Sequence, residues 1–435
     1  MSTPLVASNA APATNTRVAL VAMTAIFFMW GFITELNGVL IPHLQSVFDL
    51  THARSMLLDS AFFGAYFVMA VPAGKVVGRV GFKMGIVIGL IVAGVGALLI
   101  LPAARMGSFN LFLPALFILA TGIVVLQVSA NPYVSLLGAP ERAASRLNFA
   151  QAVNSLGHTI GPYVAGVLIF SATMLSADQL AALPASERAS TVEPLYVGVA
   201  VALIVLAVAV SLFRMPPLTE ATERAEVRHH SFAELLALPH VRWGVLAIFF
   251  YVGVEVTVAH FMVTYVSRPD IGNMSREAAS AYLSFYHLAA MIGRFVGALL
   301  LLRANPRRML PAAAAINIGL LLVTMGTTGN VATWSVVAVG LFNSIMFPTI
   351  FTLAIERLGS MTEKAASLLV MAIVGGAVIP PLQGLVVDAL QAGQGETNAL
   401  QYAFVVSALC YAYIVWYGLR GSRVRMADGA GRPGA

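Results

Sequence analysis

The sequence is poor in charged residues. Asp, Glu, Lys and Arg make up 10% of its 435 residues, whereas a soluble domain carries about 25%. Hydrophobic residues make up 59%, and the mean hydropathy is +0.86. So few charges place the chain in the membrane class. They also argue against nucleic-acid binding, because the net charge of +6 lies in short loops and no soluble domain is left to form a basic groove.

Cysteines and the short motifs of common enzymes are scarce as well. The single cysteine, Cys410, lies in an apolar run, which excludes an intrachain disulfide and argues against a cysteine metal site. HExxH, GxSxG and GxxxxGK[ST] are missing, so we predict a protein that is not an enzyme, has no cofactor and does not use ATP. Residues 1–17 carry no charge before Arg17 and show no cleavage site, which predicts a cytoplasmic tail rather than a signal peptide.

Long apolar segments are what the sequence has instead. Crossing the hydrocarbon core of a bilayer takes about 20 residues. We number twelve such segments as spans 1 to 12, at about 18–47, 56–77, 85–104, 110–137, 147–171, 194–213, 243–267, 278–303, 309–328, 331–356, 365–388 and 399–419. Several contain Gly or Pro, which membrane helices tolerate. The chain is therefore predicted to be an all-α membrane protein with twelve transmembrane helices.

Lys and Arg are distributed unequally between the two sides of these spans. With the N-terminus inside, 19 lie on the cytoplasmic side and 5 on the outer side, and Arg294 within span 8 completes the 25. Cytoplasmic loops of membrane proteins carry the excess of Lys and Arg. We therefore predict a multi-pass protein of the inner (plasma) membrane with both termini in the cytoplasm.

The two halves of the chain resemble each other. Span 4 ends in NPYVSLLGAPER and span 10 in FPTIFTLAIERLG, and an AAS triplet follows each. Pro132 thus corresponds to Pro348 at an offset of 216 residues, and Ser145 to Ser367 at 222. Such a repeat predicts two pseudo-symmetric six-helix bundles around a site near the membrane midplane. The predicted units are an N-terminal tail, a first bundle, a cytoplasmic linker, a second bundle and a C-terminal tail, at 1–17, 18–213, 214–241, 242–420 and 421–435.

Polar side chains inside the spans are the strongest functional signal. Gln127 and Asn131 lie four residues apart on span 4, and Gln151, Asn154 and His158 follow at helical spacing on span 5. Each set of polar side chains forms a stripe along one face of its helix. Each stripe must face protein or water, because an unsatisfied amide in hydrocarbon costs several kcal/mol. The stripes predict either a hydrated pocket for a polar solute or hydrogen bonds between packed helices.

Longer stretches of the sequence resemble a known family. The twelve spans, the repeat and GKVVGRVGFK after span 2 look like the major facilitator superfamily, although Gly78 replaces the acidic residue usual before Arg79. FFMWGFITELNGVLIPHL, FFGAYFVMAVPAG, LQVSANPYVSLLG, RLNFAQAVNSLG and FPTIFTLAIERLG resemble its fucose/glucose/galactose branch of sugar symporters. The resemblance implies sugar uptake by cation symport through alternating access, with spans 1, 4, 7 and 10 lining the cavity.

Two positions depart from the L-fucose permeases of that branch. The family usually has an aspartate directly after the residue matching Asn37, where this chain has Gly38. Gln127 stands where the L-fucose permeases place a glutamate, so the chain is more similar to the glucose/galactose porters. Because both acids are missing, we expect another carboxylate to couple transport here.

Three intramembrane carboxylates are candidates, since such groups cost at least about 2.5 kcal/mol and mark functional sites. Glu35 lies on span 1, on the face of Gly38, and serves either coupling or a donor on a neighbouring helix. Glu255 lies in span 7, four residues after Tyr251, and this pair suits a sugar's hydroxyls and its apolar face. Asp59, near the start of span 2, is either favoured there by the helix dipole or binds a proton or Na⁺.

The site is therefore expected to combine three functions. Sugar contacts are predicted from Asn37, Gln127, Asn131, Gln151, Asn154, Tyr251, Glu255 and Asn343. Cation coupling is predicted from Glu35, Asp59 or Glu255, with a candidate Na⁺ site near Asp59. Gating is predicted from Arg79, Arg294 and Glu356, with Arg294 bracing the gate through Glu356 or backbone carbonyls. The other histidines of the spans, His43, His260 and His287, are expected to be packing residues, and His158 has no assigned role.

These observations predict a monomeric secondary transporter of a neutral hexose. Its expected partners are glucose or galactose, a coupling H⁺ or Na⁺, and the lipid bilayer. No pair of arginines in the middle of the spans is present to hold a phosphate or carboxylate substrate. Two alternatives stay open: an exporter of a drug or metabolite with the same architecture, and an importer of an N-acetylated or deoxy sugar such as GlcNAc or L-fucose.

Overall fold

Helices occupy all twelve predicted spans. The computed structural model describes residues 13–48, 52–171, 184–216 and 231–424. In the first half the helices are Ala13–Val47 (span 1), His52–Arg105 (spans 2 and 3), Phe109–Leu136 (span 4), Ala143–Ser171 (span 5) and Glu193–Leu212 (span 6). In the second they are Pro239–Val266, Arg276–Leu300 and Pro306–Gly326 (spans 7 to 9), Gly329–Asn343 with Met346–Ala354 (span 10), Thr362–Met371 with Gly375–Gln394 (span 11) and Glu396–Trp416 (span 12). The predicted all-α membrane fold is confirmed.

The described helices have the length and composition of membrane spans. Ten stretches are long and apolar enough to cross a bilayer, and one of these, Ser60–Arg105, contains both span 2 and span 3. Span 5 is not among the ten, because polar residues such as Gln151 and His158 lower its hydropathy. Large apolar side chains such as Leu409 are exposed on the outside of the helices, which suits a lipid solvent.

Several spans are interrupted. Spans 2 and 3 are separated at Gly81, whose φ of 79° lies in the left-handed region that glycine adopts without steric penalty. Span 10 is broken between Asn343 and Met346, and span 11 contains a 3₁₀ turn, Ala372–Val374. Discontinuous helices in transporters occur near their binding sites. The break in span 10 places Asn343, which is fully buried, at a helix end.

The two halves pack by the same plan. Span 1 packs on span 5 as span 7 packs on span 11, and span 3 packs on span 6 as span 9 packs on span 12. Between the halves, span 2 packs on span 11 and span 5 packs on span 8. Because span 2 corresponds to span 8 and span 5 to span 11 in the repeat, each of these contacts is the symmetry counterpart of the other. The chain thus forms two pseudo-symmetric bundles. Their exact boundaries stay a prediction, because residues 217–230 of the linker lie outside the described ranges.

Glycines bring the first and fifth helix of each bundle into backbone contact. A Cβ added at Gly157 of span 5 would collide with the carbonyl oxygen of Phe28 on span 1. A Cβ at Gly375 of span 11 would collide in the same way with the carbonyl oxygen of Phe249 on span 7. Helix pairs packed this closely are held by extensive van der Waals contact. Each bundle therefore contains one rigid crossing at the corresponding place.

Bonds between the bundles lie on the predicted cytoplasmic half. At the start of span 5, Ser145 Oγ donates to the carbonyl oxygen of Ala298 at 2.7 Å. The rings of Phe149 and Phe295 follow, with centroids 6.2 Å apart. Near the middle of span 5, Thr159 Oγ1 contacts the sulfur of Met291 at 3.8 Å. These contacts join the two bundles from the predicted cytoplasmic end up to the membrane centre.

The crossing of spans 1 and 5 generates a stability prediction. Replacing Gly31 by Ala puts a Cβ into the backbone carbonyl of Asn154, and such overpacking costs about 1–3 kcal/mol. We expect Gly31→Ala to lower the melting temperature of the purified protein in detergent. Gly64→Ala is the matched control, because nothing lies within 4 Å of its added Cβ. Equal melting temperatures for the two variants would contradict the tight crossing.

Candidate functional site

A glutamate and a histidine meet where spans 1 and 5 cross. His158 Nδ1 lies 2.9 Å from Glu35 Oε2, and each side chain is 33% exposed. The two helices approach this closely at Gly31 and Gly157, where an added Cβ would collide with the backbone of the other helix. His158, which had no role from the sequence, is thus the partner of Glu35. The pair is titratable and accessible to water.

A second carboxylate pairs with an arginine in the other bundle. Glu255 Oε1 on span 7 lies 3.2 Å from Arg294 Nη2 on span 8, with side-chain exposures of 29% and 16%. Arg294 Nη1 also donates to Ser155 Oγ on span 5 of the first bundle. Arg294 therefore connects both bundles at the level of the carboxylates.

His287 interacts electrostatically with members of both pairs. It precedes Arg294 by seven residues, which places both on one face of span 8. Its side chain is exposed and within electrostatic range of Glu35, His158 and Glu255. The expectation that His287 is a packing residue is therefore wrong, because it faces the junction of the bundles. We call these five residues the central polar row: Glu35, His158, His287, Arg294 and Glu255.

The two carboxylates of the row occupy corresponding positions of the repeat. Glu35 and Glu255 are 220 residues apart, within the offsets of 216 to 222 found between the halves. Each lies on the first helix of its bundle and faces a basic partner. Their chemistry differs, because histidine changes its charge near neutral pH whereas arginine stays protonated.

The amides of span 4 lie buried beside this row. Gln127 Nε2 donates to the hydroxyl of Tyr66 at 2.9 Å, and Gln151 Nε2 donates to Asn131 Oδ1 at 3.4 Å. Gln127 Oε1 and Asn131 Nδ2 are buried without a hydrogen-bond partner among the described residues. An unpaired buried polar atom costs about 1–3 kcal/mol. These two atoms, one acceptor and one donor, are suited to bind a polar ligand.

Asn154 forms a bond between helices. Its Nδ2 donates to the carbonyl oxygen of Phe27 at 2.8 Å, and its side chain is buried. This is the helix-to-helix role that the sequence left open for the amides. A sugar contact from Asn154 stays a prediction.

Asn343 is the centre of a hydrogen-bond network in the second bundle. Its Nδ2 donates to the Tyr286 hydroxyl at 2.7 Å, and its Oδ1 accepts from Asn317 at 3.0 Å and from Tyr411 at 2.5 Å. The Tyr251 hydroxyl donates to the backbone oxygen of Asn343 at 3.1 Å. Both Asn343 and Tyr251 are fully buried. In this conformation the two predicted sugar contacts bond to protein groups.

Gln127 and Asn343 are themselves corresponding residues, 216 positions apart. Each donates to a tyrosine hydroxyl, Tyr66 on span 2 and Tyr286 on span 8, and these tyrosines are 220 positions apart. Asn343 has its oxygen occupied twice, whereas the oxygen of Gln127 has no partner among the described residues. Buried amide atoms without a partner among the described residues occur in both bundles, at Gln127, Asn131 and Asn148 in the first and at Asn317 and Gln383 in the second.

The predicted gate residues do not pair as expected. Glu356 follows the end of span 10 and pairs through Oε2 with Arg307 Nη2 at 2.5 Å, so the expected bond between Glu356 and Arg294 is wrong. The reason is position, because Arg294 lies nearly two turns before the end of span 8. Glu356 and Arg307 line a cavity of about 920 Å³ on the predicted cytoplasmic side. Arg79 is exposed near the end of span 2.

The side chains of two predicted site residues, Asn37 and Asp59, are not described, although both residues lie in described helices. The sugar contact at Asn37 and the Na⁺ site near Asp59 therefore stay predictions. Among the described residues, no group of three His, Cys, Asp or Glu side chains is placed to hold a metal ion.

Comparison with known proteins decides the family. The model of the Major Facilitator Superfamily matches residues 19–381. This chain belongs to the major facilitator superfamily. A glucose/galactose transporter of Brucella abortus is 44% identical over 409 residues, which cover 94% of this chain and 95% of that protein. A putative glucose/galactose transporter of Helicobacter pylori is 42% identical, covering 94% and 98%, and the L-fucose-proton symporter of Escherichia coli is 35% identical, covering 90% of each chain.

Solved structures support the same placement of this superfamily member. The crystal structure of the transporter FucP in the outward conformation matches with a TM-score of 0.83 and 32% identity, covering 94% of this chain and 100% of that one. The proton:xylose symporter XylE matches with a TM-score of 0.69 at 13% identity, covering 92% and 95%, which shows the shared fold alone. The expected superfamily fold and branch are confirmed.

The sequence missed residues whose partners lie far along the chain. His158, Tyr66 and Tyr286 had no predicted role and His287 was expected to be a packing residue, although all four contribute to the central polar row or to the amides of the site. One sequence signal was available, since the repeat offset applied to Glu35 points directly to Glu255.

The Asn343 network generates a graded prediction. Asn343→Ala leaves Tyr286, Asn317 and Tyr411 without their partner, at about 1–3 kcal/mol for each group left unpaired. Tyr411→Phe removes one bond, worth about 0.5–1.5 kcal/mol. We expect melting temperatures in detergent to fall in the order wild type, Tyr411→Phe, Asn343→Ala. An unchanged melting temperature for Asn343→Ala would show that the network contributes nothing to stability.

Proposed function

We propose that this protein imports a neutral hexose of the glucose or galactose type by symport with a proton. The observation that carries the proposal is the pair of corresponding carboxylates, Glu35 and Glu255, each about one-third exposed where the two bundles meet. Relatives named as glucose/galactose transporters align over 94% of the chain and support the substrate class.

The charges of the site favour a neutral substrate. Arg294 is the arginine that the sequence places inside a span, and its charge is already offset by Glu255. A carboxylate or phosphate substrate would therefore find no unpaired arginine in the central polar row. Sugar hydroxyls both donate and accept hydrogen bonds, so they match the carboxylates of the row and the open atoms of Gln127 and Asn131.

Alternating access is the motion expected of two internally rigid bundles that meet around a central site. The glycine crossing of spans 1 and 5 and the Asn343 network hold each bundle together internally. Among the described residues, the bonds between the bundles include those from Ser145 to Ala298 and from Arg294 to Ser155. Rocking of the halves breaks these bonds and opens the site to the predicted cytoplasmic side. The protein acts in this scheme as a monomer in the inner membrane with both termini in the cytoplasm.

Titratable chemistry in the row supports the proton as coupling ion. Glu35 and His158 are hydrogen-bonded and accessible to water. A symporter requires that the cation and the sugar favour the same conformation. Sodium coupling near Asp59 is the competing outcome that the assay must separate.

Transport in proteoliposomes tests the proposal. We expect labelled glucose or galactose to accumulate under an inward proton gradient, by up to about tenfold per pH unit for one proton per sugar. An inward sodium gradient at equal pH should give no accumulation, and a protonophore should abolish it. Protein-free liposomes are the blank, and Asp388→Asn, which neutralises an exposed carboxylate of span 11, is the matched control variant.

Each other outcome has its own meaning. Accumulation driven by sodium alone would replace the proton by Na⁺. Preferential uptake of L-fucose or GlcNAc would change the sugar while keeping the symport. Movement of hydrophobic cations without any sugar transport would overturn the proposal in favour of an exporter.

A further inference from the structure

We propose that Glu35 and His158 bind the coupling proton as a pair, and that Glu255 serves as the ion-pair partner of Arg294 rather than as the proton carrier. The inference rests on the proposed proton-sugar symport and deepens it. It assigns coupling to one of the two carboxylates of the central polar row, together with a histidine on a different helix.

The partners of the two carboxylates distinguish them. Glu255 faces Arg294 at 3.2 Å, and an arginine keeps its charge under all physiological conditions. The carboxylate of Glu255 is thus held in an ion pair with a partner that does not exchange its own proton. Glu35 faces His158 at 2.9 Å, and histidine gains or loses its charge near neutral pH. The pair is therefore the better place for a proton that must bind and leave.

The net charge of the pair, with and without one added proton, suits a carrier of the coupling proton. With Glu35 ionised and His158 neutral, the pair carries a charge of −1. One proton taken from water on the open side makes it neutral, shared along the bond between Glu35 Oε2 and His158 Nδ1. Moving a net charge through a low-dielectric centre is costly, so the neutral pair favours closure. On the other side the proton leaves to water, and nothing is oxidised or reduced.

The contact between Glu35 and His158 is kept when the bundles rock. Both residues belong to the first bundle, and spans 1 and 5 are held by the bond from Asn154 to the Phe27 carbonyl and by the crossing at Gly157. The 2.9 Å contact therefore moves as one unit while the access of water changes. The bond from Arg294 to Ser155 differs, because it crosses the interface between the bundles.

Other charged groups face the pair from the second bundle. His287 on span 8 lies within electrostatic range of both Glu35 and His158, and it also interacts with Glu255 and Arg294. His287 belongs to the second bundle, which moves relative to the pair. Its own titration therefore contributes to any pH profile of transport. His287→Gln is therefore measured in parallel with the variants of the pair.

Span 5 also links the pair to the amides of the site. Gln151 precedes His158 by seven residues, so both lie on one face of the helix. Gln151 in turn bonds to Asn131, which has an open donor. A sugar bound at these amides is thus held by the same helix that carries His158.

Separate assays of exchange and proton movement test the pair. Glu35→Gln, His158→Gln, their double variant and the exchanged variant Glu35→His with His158→Glu are purified and reconstituted. Glucose counterflow at equal pH measures sugar exchange without net proton movement. A trapped pH-sensitive dye measures protons that enter with glucose. His43→Gln, a histidine of span 1 bonded to the Arg188 backbone, and Asp388→Asn are the controls.

We expect both single variants to retain counterflow and to lose proton entry and uphill accumulation. The pH dependence of counterflow should flatten in both. The double variant should behave like either single variant, because all three remove one common site. The exchanged variant should recover proton entry with glucose, since it restores a carboxylate and an imidazole at the same crossing. Both controls should behave like wild type.

Contrary outcomes are distinct from failure of the symport itself. Proton entry at the wild-type ratio in His158→Gln would overturn the pair, and so would loss of counterflow in folded single variants. Gel filtration shows whether the single variants fold. If they do not fold, the proposal is tested with the exchanged variant alone. An exchanged variant that folds but shows no proton entry would overturn the pair. A wild-type protein that moves glucose without protons would instead refute proton symport.

Discussion

A polar group inside a bilayer must find its partner within the protein, and this constraint organises the structure. Asn343 bonds through its side chain to three residues, and Asn154 bonds to a carbonyl of the neighbouring helix. The charges follow the same rule, with Glu35 beside His158 and Glu255 beside Arg294. Because hydrocarbon offers no hydrogen bonds, each of these groups determines which helices pack together.

The two bundles share one scaffold but differ in chemistry. Corresponding glutamates lie on their first helices, and corresponding amides bond to corresponding tyrosines. One glutamate has a titratable partner and the other a permanent cation. One amide keeps an open oxygen while the other is fully bonded. The duplicated framework thus places a carboxylate on the first helix of each bundle, beside a histidine in the first bundle and beside an arginine in the second.

Much of the site could be located from the sequence, but few of its bonds. Glu35, Glu255, Gln127 and Asn343 were singled out because polar groups in apolar spans are rare. The expected bond from Arg294 to Glu356 was wrong, since the turn at which a residue meets its neighbour depends on how two helices cross. His287 was expected to pack in the interior, but its side chain is exposed. The expectation failed because this exposure depends on the gap between the bundles.

By itself the sequence determined the number of spans, their predicted sides and the carboxylates within them. These properties depend on hydropathy and charge over about 20 residues, to which the bilayer responds locally. Tertiary structure alone decided which groups meet. Glu35 and His158 are separated by 123 positions and come within 2.9 Å only because glycines let spans 1 and 5 cross at backbone contact.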